Sequence, residues 1–198
     1  MKADLLDRIF MFDQEKTIEV ILYITRKLKE TQTDYMRIAK LMYFADKTHL
    51  EDWGRTITLD SYVARYHGNF GKHALRILMG DEPRPDGAFN INYTRIIPLR
   101  EPDMDFMSES DIRVLDSTLE AYNQFPNWHL VMLSRDQAWA NAYKGLGEGN
   151  AMVLTDKYGR FSPVHIRDIV REVDNLEGYL VEHLEDTGHP HQEDAVNN

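Results

Sequence analysis

The sequence predicts an α+β fold, mainly α-helical, in a single compact domain with a small antiparallel sheet or β-ribbon in the middle. Three observations carry this expectation. Several segments repeat apolar residues at three- and four-residue steps, the period that gathers them on one helix face. Phe89-Asn90-Ile91-Asn92-Tyr93 instead alternates, which is the two-residue period of a half-buried strand. Finally, 198 residues with 42% hydrophobic and 28% charged content suit one globular core.

From the N-terminal side, Thr17 to Glu30 reads as a helix with Ile18, Ile21, Leu22, Thr25 and Leu28 on one side and lysines near its end, where cations complement the helix dipole. Thr33 is placed to cap a second helix whose first turn carries Asp34 and which runs to about His49. Its face is Ile38, Leu41, Met42, Ala45 and His49. The chain breaks at Trp53-Gly54-Arg55, continues through strand-like runs around Ile57 and Tyr62-Val63-Ala64, and turns at His67-Gly68. A short helix is expected from about Phe70 to Met79, then a Pro/Gly-rich loop over Asp81 to Gly87. The alternating segment and Ile96-Ile97-Pro98-Leu99 form a hairpin, with Pro98 limiting that piece to an edge or strand end.

Ser108-Glu109-Ser110-Asp111 is a short capping box, so a helix opens there and carries Ile112, Leu115, Leu119 and Tyr122 on one face until Pro126. Asn127 is expected to cap a further short helix through Leu133, and Asp136 to Tyr143 adds another turn or two. Gly145 to Gly149 reads as a flexible stretch. Ser162-Pro163 reads as a helix start, a cap followed by proline, opening a long amphipathic helix marked by Ile166, Ile169, Val170, Val173, Leu180 and Leu184. The expected division is a domain over 1–186 with this extended C-terminal helix, then a frayed polar tail over 187–198.

Composition narrows the function classes. With no cysteine there is no disulfide framework, thiolate nucleophile or thiolate metal site. No apolar run approaches the ~20 residues needed to cross a bilayer, and Met1-Lys2-Ala3-Asp4 lacks the basic-then-apolar signal pattern. The expectation is a cytoplasmic protein away from membranes. A formal charge of −10 argues against general nucleic-acid binding, which draws on Lys and Arg at phosphates, and would steer a basic partner toward an acidic surface.

Candidate chemistry clusters around two helices and a turn. A metal-assisted hydrolase using Asp46, His49 and His67 would need three ligands at roughly 2.0–2.2 Å from one ion. Asp46 and His49 can share a helix face, but His67 and His73 lie on other elements and no HExxH spacing exists. Asp46, Asp60, Arg65 and His67 can instead form a buried polar cluster behind the Trp53-Gly54-Arg55 turn, a carboxylate held between cations. Gly145-Leu146-Gly147-Glu148-Gly149 lacks the lysine of a phosphate loop and sets Glu148 where a phosphate would be repelled. Ser134 and Asp136 have no nucleophile-elbow pattern and read as helix caps. Accordingly no catalytic residue, metal or cofactor is expected.

Three ordered segments then point to a family. They are the stretch from Lys40 to Leu78 (a KLMYFAD helix, a WGR turn, a DSYVARYHG segment and a short helix), the helix opening from Met107 to Asp116, and Leu133-Ser134-Arg135-Asp136-Gln137-Ala138-Trp139. With Ser162-Pro163 as closing element, this order over roughly Thr17 to Ile169 resembles the Panacea domain of SocA-like antitoxins. Two positions depart from the family pattern: Asn69 stands where proline is common after His-Gly, and Arg135 where histidine is usual. The resemblance implies a non-enzymatic protein that neutralises a cognate toxin by direct binding. On that reading we expect the contact at Asp46, His49, Arg65, His67, Gly68 and Arg135. It also leaves open an adaptor delivering the toxin to ClpXP protease, and a phage-encoded protein that blocks a host defence factor.

Overall fold

The computed structural model describes residues 12–85, 87–143, 154–157 and 159–169. Helix α1 spans Gln14–Lys27, and the Asp13 carboxylate caps it by accepting the Lys16 N–H at 3.0 Å. Helix α2 spans Tyr35–Trp53 and ends at Gly54. Its cap is Asp34, which accepts from Met36 N–H at 2.9 Å, and not the expected Thr33. Thr33 is committed elsewhere: its hydroxyl donates to the Glu30 carbonyl, and its own carbonyl accepts the Ile96 N–H.

Two short strands follow, β1 (Tyr62–Arg65) and β2 (Gly68–Gly71), then α3 (Lys72–Leu78). The run around Ile57 is not a strand but a buried loop. Phe70 and Gly71, expected to open a helix, belong to β2 because their partners are on β1: Val63 opposes Phe70 and Tyr62 opposes Gly71. The hairpin stands as expected, β3 (Phe89–Asn92) against β4 (Arg95–Pro98) in register Phe89↔Pro98. Helix α4 (Glu109–Tyr122) opens on the full capping box, Ser108 and Asp111 exchanging side-chain and backbone bonds. Pro126, not Asn127, precedes α5 (Asn127–Leu133), and α6 covers Gln137–Tyr143. Asn127 is already the first residue of that helix, and its side-chain oxygen accepts from Arg37 Nε at 3.1 Å.

The last described elements are β5 (Leu154–Asp156), β6 (Gly159–Val164) and the turn of helix α7 (Ile166–Ile169). Ser162-Pro163 is therefore strand and not helix start: Ser162 opposes Ala64 and Pro163 opposes Val63. Among the described residues β5 pairs with β6 from Gly159 to Phe161. The four strands form one antiparallel sheet in the order β2-β1-β6-β5. The expected glycine-rich stretch, long C-terminal helix beyond Ile169 and polar tail lie outside the described residues.

Helix α2 is the axis of the molecule, packed against α1, α3, α4, α5 and β2. One side (Ile38, Leu41, Met42, Ala45) meets Ile18, Ile21 and Leu22 of α1, Val114 and Leu115 of α4, and Phe70 and Phe89 of the strands. The other side (Tyr43, Phe44, Leu50) joins Tyr62, Ala64, Leu130, Ala138 and Val164 in a second cluster. A helix covered all round must bury its polar residues too, so each of those needs an internal partner.

Candidate functional site

Those partners define the site. Lys40, Tyr43 and Lys47 recur at three and four residues, so they share one face of α2, and that face meets the β1–β2 turn and the α5–α6 link. The Lys40 ammonium is fully buried, donates to the Asn69 carbonyl at 2.6 Å and lies 3.2 Å from the centre of the Phe70 ring. Burial, and then the charge of Arg135, push its pKa well below the usual lysine value, while Asp136 acts the other way. The Tyr43 hydroxyl donates to Asp136 at 2.7 Å and accepts from the Asn69 amide at 2.9 Å. Burial, and next the Asp136 charge, push that hydroxyl well above the usual tyrosine value. Lys47 and the Trp139 N–H complete the coordination of Asp136, at 3.2 and 3.0 Å.

Gly68 allows the turn to sit down on this knot. Its φ is +90°, and a Cβ there would lie 2.1 Å from the Ser134 hydroxyl oxygen and 3.2 Å from the Lys40 ammonium. The Asn69 N–H donates to the Ser134 carbonyl, and Trp139 Nε1 donates to the Arg65 carbonyl at 2.8 Å. Arg135 reaches over the turn to donate to the Tyr66 carbonyl at 2.5 Å, its guanidinium about equally far from the Tyr66 and Trp139 rings, 5.2 and 5.3 Å. The turn tip stays outside: Tyr66 and His67 are exposed. Partial burial, then the charges of Lys40 and Arg135, lower the His67 pKa and favour its neutral form.

The six residues expected at a partner surface are thus divided. Arg65, His67, Gly68 and Arg135 converge on the turn, with the Arg65 guanidinium over the Phe161 ring at 4.8 Å. Asp46 and His49 are inside, at 2% and 0% exposure. Asp46 accepts Ile57 N–H, Thr58 N–H and the Thr58 hydroxyl at 2.8, 3.1 and 2.6 Å, pinning the loop after α2. Backbone amides, and not cations, satisfy it, so the expected carboxylate–cation cluster is replaced by a loop staple. Burial raises the Asp46 pKa, and its hydrogen bonds oppose that rise. Asp60 is a second staple, accepting His73 and Ala74 N–H at 3.0 and 2.8 Å at the start of α3, which has no cap of its own. Burial lifts its pKa to about 6 against those hydrogen bonds.

His49 belongs to a third network. One ring nitrogen lies 2.8 Å from the Arg55 carbonyl, and the other is 3.1 Å from the Ser110 hydroxyl and 3.2 Å from Asp111. Lys16 and Arg55 also pair with Asp111, at 2.6 and 2.9 Å. Burial alone would raise the Asp111 carboxyl, but its bonds to His49 and Lys16 and the Lys16 and Arg55 charges outweigh it and hold the group well below the usual carboxylate range. Asp46, His49 and His67 serve three different contacts, and no set of three His, Asp or Glu is poised for a metal among the described residues.

Sequence reasoning singled out Asn69 only as a departure from the family pattern, and it missed the site roles of Lys40 and Tyr43 and the outer strip beside Arg135. Trp128, Met132 and Leu133 of α5 stand exposed at 68%, 54% and 39%, and Tyr66 at 66%. The available signal was α5 itself: seven residues, apolar nearly all round, too short to bury every face.

The family model described as antitoxin SocA-like, Panacea domain, matches residues 38–140, just over half of the chain. That interval runs from the first turn of α2 into α6 and contains the knot and the turn. No curated protein and no solved structure matches the chain.

Proposed function

Because the chain belongs to the SocA-like antitoxin family, we propose that it neutralises a cognate toxin protein by binding it directly, without chemistry of its own. Family membership supports the antitoxin role. The mode of action and the contact surface are our reading. The supporting observation is the exposed strip of Trp128, Met132, Leu133, Tyr66 and His67 mounted on a buried, hydrogen-bonded knot. Large aromatic and sulfur side chains left in water beside an arginine are the side-chain types that concentrate at interface cores. A turn held by Lys40, Ser134 and Trp139 presents them with little ordering entropy left to lose.

In this proposal His67 and Arg135 touch the toxin, Gly68 and Arg65 shape the turn, and Asp46 and His49 act only by stabilising α2 and its loop. No helix among the described residues is long and apolar enough to cross a membrane, and we place the encounter in the cytoplasm.

Co-expression with the neighbouring reading frame tests the proposal. The neighbour is expected to arrest growth alone and to co-purify with this chain when growth is restored. A neighbour that is harmless, or that is rescued without forming a complex, refutes direct neutralisation. Toxin half-life is expected to be unchanged or longer in the presence of the chain; faster decay would favour delivery to a protease such as ClpXP.

A further inference from the structure

The same strip specifies what part of a partner fits it. We infer that it receives an apolar segment of the toxin that presents a carboxylate to Arg135, an inference that rests on the antitoxin reading above.

The first argument is the state of Arg135. A guanidinium has five N–H donors. Its Nη2 meets the Tyr66 carbonyl, its Nη1 meets only the Met132 thioether at 3.8 Å, and its Nε is buried with no partner among the described residues. A thioether is a weak acceptor, so a carboxylate in its place would gain a charge-assisted bond. The guanidinium is already oriented by the Tyr66 and Trp139 rings, so little freedom remains to be lost on binding.

Charge is the second argument. Although the whole chain carries −10, residues 126–135 contain no acid. The next carboxylate, Asp136, is turned inward to Tyr43, Lys47, Asn69 and Trp139. The strip is therefore an apolar surface with one fixed cation. A net acidic field steers a basic body at a distance, but over the ~8 Å screening length of physiological salt the local groups decide the contact. Trp128 and Met132 are one helical turn apart, so Trp128 extends the exposed apolar surface that Met132 begins beside Arg135.

Opposite charges at one exposed position test the inference. Wild type, Met132→Glu, Met132→Lys, Arg135→Gln and the remote hairpin control Ile97→Glu are purified and titrated with the toxic product of the neighbouring frame. Met132 and Ile97 are both surface positions, so unfolding midpoints should match wild type. The expected result is at least tenfold weaker binding for Met132→Glu and Arg135→Gln, little change or tightening for Met132→Lys, and no change for Ile97→Glu. Greater loss with Met132→Lys than with Met132→Glu overturns the acidic segment in favour of a basic one. Indifference to both shows that the toxin docks elsewhere while neutralisation still stands. If the wild-type chain neither binds nor rescues, the antitoxin reading fails and this inference falls with it.

Discussion

Gly68→Ala attacks a backbone approach that leaves no room for a side chain. Two costs combine. At φ +90° an L-residue is strained, by ~1–2 kcal/mol. The new methyl would also stand 2.1 Å from the Ser134 oxygen and 3.2 Å from both the Ser134 Cβ and the Lys40 ammonium, all of them buried. Overpacking of that kind costs about 1–3 kcal/mol. Opening the turn to relieve it stretches the Asn69 N–H···Ser134 carbonyl bond, a loss of about 1 kcal/mol. The sum, ~3–6 kcal/mol, is a large part of the 5–15 kcal/mol typical of a domain. Urea unfolding of wild type, Gly68→Ala, Ser134→Ala and the double variant separates the terms. Removing the serine hydroxyl relieves the shortest contact, so the double variant should be less destabilised than the two single effects added together. A Gly68→Ala variant within 0.5 kcal/mol of wild type, or strict additivity, would refute the close-approach argument.

Asp46→Ala is expected to lose roughly 3–5 kcal/mol, because three buried donors lose their acceptor at about 1–3 kcal/mol each with partial relaxation; chemical denaturation measures it. Asp60, with its folded pKa raised to about 6 above an unfolded value near 4, binds its proton more tightly when folded, so its contribution to stability falls as pH rises from 4 to 6. Asp60→Asn should flatten that fall in urea midpoints recorded across this range. Asp111 has the opposite sign: held low, it contributes stability above pH 4 that is lost on further acidification, and Asp111→Asn should remove that acid-limb loss. Lys40, whose pKa is lowered in the fold, makes stability rise with pH in the alkaline range below 10, and Lys40→Met should abolish the rise while orphaning the Asn69 carbonyl.

How far the sequence could be read depended on the reach of each signal. The capping box at Ser108–Asp111 and the Phe89–Pro98 hairpin involve partners within about ten residues, and both stand as expected. The Gly68–Gly71 strand has one apolar side chain and no alternation, so nothing local marks it; it exists because β1 lies beside it. Ser162-Pro163 carries a genuine helix-start pattern, yet Ser162 pairs with Ala64, nearly a hundred residues away, and that ladder prevails.

The candidate site divides in the same way. His67-Gly68 was recognisable because a glycine after a polar residue marks a turn, and Arg135 because it sits in a segment with a distinctive order. Asp46 and His49 looked equally available, since a helix face read from spacing does not say which of its sides is covered. By itself the chain determined where the Ser108 helix opens, where the hairpin bends, that the net charge is acidic, and that no thiol chemistry occurs, all consequences of composition and short-range geometry. Only the tertiary structure decided that α2 is enclosed on every side from Arg37 to Asp46, because burial is set by which distant elements pack on it. That enclosure turns Asp46 and His49 inward, whereas Tyr66, Trp128 and Met132 are among the large side chains left exposed.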